Sequence, residues 1–370
     1  MRILFASEGF IVDGVASYNL YFGEALTKAG EKVAIAGRWA GFTSYKDRFA
    51  KAGIQVIQSI SPFVDGHTLV SKGRAFAPDV IVTDSRRSFS LARKIQETTG
   101  APLFTVFHDP PENDLEGERS MANLLAKSDA WITPERPIYR ELEALSPDVP
   151  LRLIERPVAG RIHPSPLPTE GPFRVLLFGR LSGFKSPGLR AVVDNAAELK
   201  KQIPSLEIEV LGGGWRKTVF AQAAARANRR AGEKFVRVLG AQPDPLPFIQ
   251  RATLVCAGAT SAVEALLAQR LVLAFSGFWI GGVTTENLEY AVDMHFGERG
   301  GEFRMKEKPE AAVEGILAMH EQWKTRDMAA ETALLREKLA PMFSDGLAVS
   351  RFWELYRALG KTVPAASPEN

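Results

Sequence analysis

Short, mostly apolar runs recur along the first half of the chain, each followed by a stretch whose apolar residues return at helical spacing. The runs Arg2–Ala6, Lys32–Ala36, Ile54–Ile57, Val80–Thr83, Leu103–Phe107 and Ala130–Ile132 read as strands. Helical periodicity covers Tyr18–Ala29, which stops at Gly30, then Ser88–Thr98, which stops at Gly100, and Ser120–Ala126. Strands separated by helices predict a parallel, doubly wound α/β sheet, because a right-handed crossover needs a helix to bring the chain back.

A proline-rich segment, Pro157–Phe173, interrupts the rhythm and reads as a connector. The same alternation then resumes. Strands are expected at Arg174–Phe178, Glu207–Leu211, Phe235–Val238, Leu254–Cys256 and Leu271–Phe275, with helices at Leu189–Gln202, Val219–Ala231 and Ala262–Ala268. Pro309–Gln322, Met328–Lys338 and Leu347–Leu359 read as closing helices, and Lys361–Asn370 has little to pack. A chain of 370 residues is long enough for two such domains, residues 1–160 and 173–346, with a linker at 161–172 and a tail at 361–370.

Composition narrows the classes. The lone Cys256 excludes an internal disulfide framework, and His67, His108, His163, His295 and His320 show no ligand-like spacing, which fits a reducing compartment. The apolar start, Ile3 to Ala6, is too short for a signal-peptide core, and no stretch approaches the ~20 apolar residues of a membrane span. A cytoplasmic protein is therefore expected. A formal charge of +3 falls short of a nucleic-acid binder's clustered excess and leaves an anionic substrate or lipid open.

The candidate chemistry gathers after the strands. Gly179 permits a sharp turn after Arg174–Phe178, and Arg180 and Lys185 follow at the strand's C-terminal end, where open α/β sheets bind ligands. By themselves they are either two solvated loop cations or a grip on a diphosphate, Arg through a planar fork and Lys as a point charge. Gly258, Ala259, Thr260 and Ser261 read as a helix N-terminus capped by Thr260 or Ser261, whose free N–H groups suit a phosphate or a sugar hydroxyl. In the first domain, Asp13-Gly14 is a plain turn or a point of close backbone approach. His108, at the end of Leu103–Phe107, is a structural residue or a group that donates and accepts near neutral pH at the ligand edge. Asp109 and Glu112 lie nearby, and Arg86 and Arg87 are solvated or meet an anionic acceptor. There is no Asp-x-Asp metal motif, no phosphate-binding Gly-Lys-Ser/Thr loop and no Gly-x-Ser-x-Gly turn, so metal-free chemistry is expected and no cofactor.

The order Gly179-Arg180-Leu181-Ser182, Lys185, a long helix, Pro204, a strand and Gly212-Gly213-Gly214 resembles the family-4 retaining glycosyltransferases of the GT-B fold. Similarity continues through Val238–Gly240, the segment around Glu264 and the opening segment with Gly14, from Met1 to about Leu359. The resemblance implies two Rossmann-like domains facing a cleft, with the last helix, within 347–360, returning to the first domain. It implies a nucleotide-diphosphate sugar donor whose diphosphate is bound by Arg180 and Lys185. Glu264 would accept from the ribose hydroxyls, Gly240 would border the base, and Gly14, Gly179, Gly258, Ala259 and Thr260 would line the donor. His108 would stand beside the donor sugar, with Asp13, Asp109 and Glu112 on the acceptor side.

One position departs from the family pattern. Its first glutamate, eight positions before the second, is here Cys256, and Glu286, in Gly277–Asn287, which reads as a donor-side loop after Leu271–Phe275, is the weak candidate to replace it. The implied activity is retaining transfer to a sugar, lipid-linked or other hydroxyl acceptor, as in cell-envelope, polysaccharide or glycoconjugate synthesis. The alternatives are a nucleotide-sugar epimerase or hydrolase of the same fold and a non-catalytic sugar-nucleotide-binding protein. On Val219–Ala231, Arg226, Arg229 and Arg230 form a solvated face or touch an anionic membrane from its inner side.

Overall fold

The computed structural model describes residues 1–10, 14–38, 45–58, 66–84, 86–109, 127–145, 148–242 and 244–362. The chain divides into two units, residues 1–158 with 343–370, and residues 159–342.

The first unit is built on strands β1 (Arg2–Gly9), β2 (Lys32–Arg38), β3 (Gln55–Gln58), β4 (Val80–Thr83), β5 (Leu103–Val106), β6 (Ala130–Thr133) and β7 (Leu151–Leu153). They form one parallel sheet in the order β3-β2-β1-β4-β5-β6-β7. Ile3, Leu4, Phe5 and Ala6 are all buried, as expected of a central strand covered on both faces. Its helices are α1 (Gly14–Lys28), α2 (Lys46–Lys51), α3 (Gly66–Ala75), α4 (Arg86–Thr99) and α5 (Arg136–Leu145). Of these, α2, α3 and α5 escape the sequence reading. The expected helix Ser120–Ala126 lies outside the described residues, as does most of the tail.

The second unit carries β8 (Arg174–Phe178), β9 (Glu207–Leu211), β10 (Val236–Gly240), β11 (Leu254–Ala257), β12 (Leu271–Phe275) and β13 (Trp279–Gly282) in the order β10-β9-β8-β11-β12-β13. All pairings are parallel except β12 with β13. Its helices are α6 (Pro187–Asp194), α7 (Ala196–Gln202), α8 (Lys217–Ala231), α9 (Leu246–Arg251), α10 (Ala259–Leu267), α11 (Leu288–Asp293), α12 (Ala311–Thr325) and α13 (Met328–Leu339). Two expectations are corrected here. The single helix Leu189–Gln202 is two helices that part at Asn195, whose side-chain amide donates to the Ala191 carbonyl at 2.9 Å and competes with the helical ladder. The segment Gly277–Asn287, expected as a loop, contains β13, where Trp279 stacks on Phe275 and Phe303.

The proline-rich segment is fastened to the second unit. The buried Arg270 guanidinium donates to the Ser165 and Pro166 carbonyls, and the Trp323 indole donates to the Pro168 carbonyl at 2.8 Å. Burial lowers the Arg270 pKa to about 10, and those carbonyls replace part of its lost hydration. The terminal helix, α14 (Asp345–Ala358), packs in the first unit, with Phe352 edge-on to Phe22 at 5.6 Å and to Phe104 at 5.5 Å. Full burial of such an aromatic contributes about 1.5–3 kcal/mol. Arg351 on this helix pairs with the buried Glu155, whose carboxyl is pushed up by burial although Arg351 opposes the shift.

Candidate active site

In the second sheet the chain runs outward from β8 to β10, then restarts on the other side of β8 with β11. The crevice outside the C-terminal ends of β8 and β11 is the topological switch point, where open α/β sheets take ligands. The loop after β8 carries Arg180 and Lys185, and the loop after β11 leads through Gly258 into α10.

The loops after β8 and β9 are stitched by their backbones. The Gly179 N–H donates to the Leu211 carbonyl at 3.1 Å, the Leu181 N–H to Gly213 at 2.8 Å, and the Gly212 N–H to Gly240 at 3.0 Å. Such close approach explains the glycines. A Cβ on Gly212, which has φ +148°, would stand 1.8 Å from the Gly179 carbonyl oxygen, and one on Gly214 would stand 2.8 Å from that of Leu181. Arg180 is thus exposed on a backbone fixed on both sides of it.

Lys185 ends the turn Gly183–Lys185 and is half-buried, its ammonium paired with Glu298. The other Glu298 oxygen accepts from the Ser276 hydroxyl at 3.4 Å. Sequence reasoning missed Glu298, which lies 113 residues from Lys185 and within no motif. It also missed Lys217 at the start of α8. A Cβ on Gly240, φ +79°, would meet the Lys217 ammonium at 2.7 Å, so this exposed cation lies against the glycine at the end of β10.

The start of α10 differs from expectation. Its N-cap is Gly258, and no side chain caps it; Thr260 and Ser261 lie inside the helix. Ala259 adopts φ +51°, a left-handed conformation costly for a residue with a Cβ. Gly258 is required by contact, since a Cβ there would stand 2.7 Å from the Ser276 Cβ and 2.8 Å from the Phe296 carbonyl oxygen. Cys256 is a fully buried strand residue of the core, and burial pushes its thiol pKa up. Glu264 is buried on α10, whereas Glu286 is exposed beyond β13.

The first sheet has its own switch point, between β1 and β4. There Asp84 is buried and accepts from the Ser7 hydroxyl at 2.8 Å, from the Asn19 amide, and from the Ser88 hydroxyl at 3.0 Å. Sequence analysis missed this cluster, though an aspartate directly after a buried strand was a usable signal. Gly14 opens α1, and its carbonyl accepts from Arg156 at 2.7 Å. His108 is half-buried, with its ring edge-on to Tyr18 at 5.2 Å, and Asp109 is exposed beside it. The Tyr18 hydroxyl, which donates to the Ile154 carbonyl, is pushed up mainly by burial. Asp13 and Glu112 lie outside the described residues.

No family model matches the sequence, and no curated protein matches it. Solved structures do. The chain is similar to a glycosyltransferase from Rickettsia africae ESF-5, at 18% sequence identity and TM-score 0.68, over 98% of this chain and 99% of that one. It is similar to Anabaena HepE in complex with UDP, at 16% identity and TM-score 0.67, over 97% of this chain and 100% of that one. It is also similar to a TarM variant of S. aureus in complex with fondaparinux, alpha-GlcNAc-glycerol and UDP, at 12% identity and TM-score 0.70, over 96% and 99% of the two chains. With the two parallel-sheet units, these likenesses give a two-domain Rossmann-like GT-B fold.

Proposed function

We propose that the chain is a glycosyltransferase that moves a sugar from a nucleotide-diphosphate donor to an acceptor hydroxyl. The observation that carries this reading is the pair Arg180 and Lys185 on one glycine-stitched loop at a switch point. The UDP bound by HepE and TarM supports a nucleoside diphosphate as the ligand class.

In this reading the two cations neutralise the diphosphate as its bond to the anomeric carbon breaks, stabilising charge that grows toward the transition state. The acceptor oxygen attacks that carbon, its proton passes to the departing phosphate oxygen, and same-face attack retains the configuration. Arg180 and Lys185 would do this without a metal ion. Glu264 and Gly240 serve the nucleoside, and Gly14, Gly179, Gly258, Ala259 and Thr260 line the donor. The first unit receives the acceptor, a sugar or a lipid-linked or other hydroxyl, with His108 and Asp109 as its polar groups and Asp13 and Glu112 assigned by resemblance. Envelope, polysaccharide or glycoconjugate synthesis in the cytoplasm is the setting we assign, with hexosyl transfer as the reaction. Arg226, Arg229 and Arg230, exposed on α8, suit contact with an anionic membrane.

A screen of UDP-, GDP-, ADP- and dTDP-sugars, scored for nucleoside diphosphate release with and without EDTA, tests the reading. Release from one donor class, dependent on an acceptor and insensitive to EDTA, is the expected result. Release without any acceptor would mean hydrolysis or epimerisation, and failure of every nucleotide to bind would end the assignment.

A further inference from the structure

Glu298 has no place in the chemistry above, yet it holds one of the two cations assigned to the diphosphate. Its carboxylate is engaged at both oxygens, by the Lys185 ammonium and the Ser276 hydroxyl, and the ion pair is partly shielded from solvent, at 22% and 11% side-chain exposure for Lys185 and Glu298. The backbone that delivers it is unusual. His295, Phe296 and Gly297 have φ of +48°, +52° and +85° in succession, immediately before Glu298. Two of these three residues carry a Cβ, so the left-handed run is unfavourable by itself and persists only because its surroundings fix it.

The surroundings are the site. A Cβ on Gly297 would stand 2.5 Å from the Phe278 carbonyl oxygen, and the Phe296 carbonyl closes on Gly258, the cap of α10. The turn therefore seats Glu298 beside the switch point. A lysine is a point charge on a flexible stem with three donors, so one carboxylate can hold it in place while leaving donors for a second anion. That carboxylate is also a like charge close to any phosphate the ammonium binds.

From this we infer that Glu298 is a positioning residue: it shares the Lys185 ammonium with the donor diphosphate, fixing the cation while weakening its hold on the nucleoside diphosphate product. The inference rests on the diphosphate assignment of Lys185. It gives two effects of opposite sign. Removing the charge without removing the group, as in Glu298→Gln, strengthens binding of the product and slows turnover. One like charge at a partly screened site changes affinity by about three- to tenfold.

The test is calorimetric titration with UDP and GDP, paired with steady-state kinetics and thermal melting. Glu298→Gln is expected to bind the cognate nucleotide more tightly and to show a lower kcat. Ser276→Ala, which removes a donor to the carboxylate and leaves its full charge to the Lys185 ammonium, is expected to shift affinity in the opposite direction by less. In a Lys185→Met background the loss of kcat is expected to vanish, because the positioning acts through that ammonium. Unchanged or weaker nucleotide binding by a folded Glu298→Gln protein would overturn the inference, as would a loss of kcat that persists in Lys185→Met. If Lys185→Met alone leaves nucleotide affinity unchanged, the diphosphate assignment itself fails and this inference falls with it. If Glu298→Gln does not fold, Ser276→Ala decides: weaker nucleotide binding supports the inference, and unchanged or tighter binding overturns it.

Discussion

The two sheets share a winding rule and finish their ligand edges in opposite ways. At the switch point of the second, Arg180 and Lys185 follow a strand whose loop is bonded to its neighbour by the backbone, with glycines where no Cβ fits. At that of the first, a buried carboxylate, Asp84, is saturated by Ser7, Asn19 and Ser88. One edge presents positive charge on a rigid frame, and the other buries negative charge among short polar side chains. The difference teaches that the fold provides the location and the loop residues decide the chemistry. A cationic edge suits an anionic ligand.

The largest expected effect breaks this contrast on the cationic side. Arg180→Ala and Lys185→Ala are each expected to lower kcat by about 10²- to 10³-fold, the loss typical of a donor to developing negative charge. Nucleoside diphosphate release measures it, and full turnover in both variants would void the assignment. Next is Gly212→Ala. Its Cβ has no space against the Gly179 carbonyl, and a destabilisation of about 3 kcal/mol is expected from urea midpoints. The matched change in the other unit, Gly14→Ala, meets nothing nearer among the described residues than Arg156 at 3.8 Å and is expected to cost under about 0.5 kcal/mol. Equal effects at the two glycines would erase the distinction between a glycine pressed against backbone and one that is not.

Asp84→Ala sharpens the comparison from the first unit. It leaves buried donors without their acceptor, and a loss of about 2 kcal/mol is expected in the same urea assay. The smallest effect concerns the start of α10. Because neither hydroxyl caps that helix, Thr260→Val and Ser261→Ala are each expected to change stability by under about 0.5 kcal/mol, where loss of a true cap would cost about 1 kcal/mol.

Much of the architecture was legible because buried parallel strands are short apolar runs. Val80–Thr83, Arg174–Phe178, Glu207–Leu211 and Leu271–Phe275 appear in the structure with the bounds read from sequence. Elements whose apolar face is narrow were harder. In α5 only Ile138 and Leu142 are buried, although Pro137 in its first turn and their four-residue spacing were available signals. The placement of Arg180 and Lys185 at a sheet edge followed from the strand before them. Glu298 could not be found that way, because a left-handed turn of His295 and Phe296 has no compositional signature. Cys256 shows the converse: aligning it with a glutamate places it in a site, whereas its strand places it in the core.

The fastening of residues 165–168 by Arg270 and Trp323 bears on how the protein can be divided. A recombinant fragment of the second half that starts at residue 173, where the regular strands begin, discards the carbonyls that accept from Arg270 and Trp323. Starting at residue 159 keeps them. The cut that respects the chemistry lies upstream of Pro164, so a seam drawn from composition would sever a part that already belongs to one side.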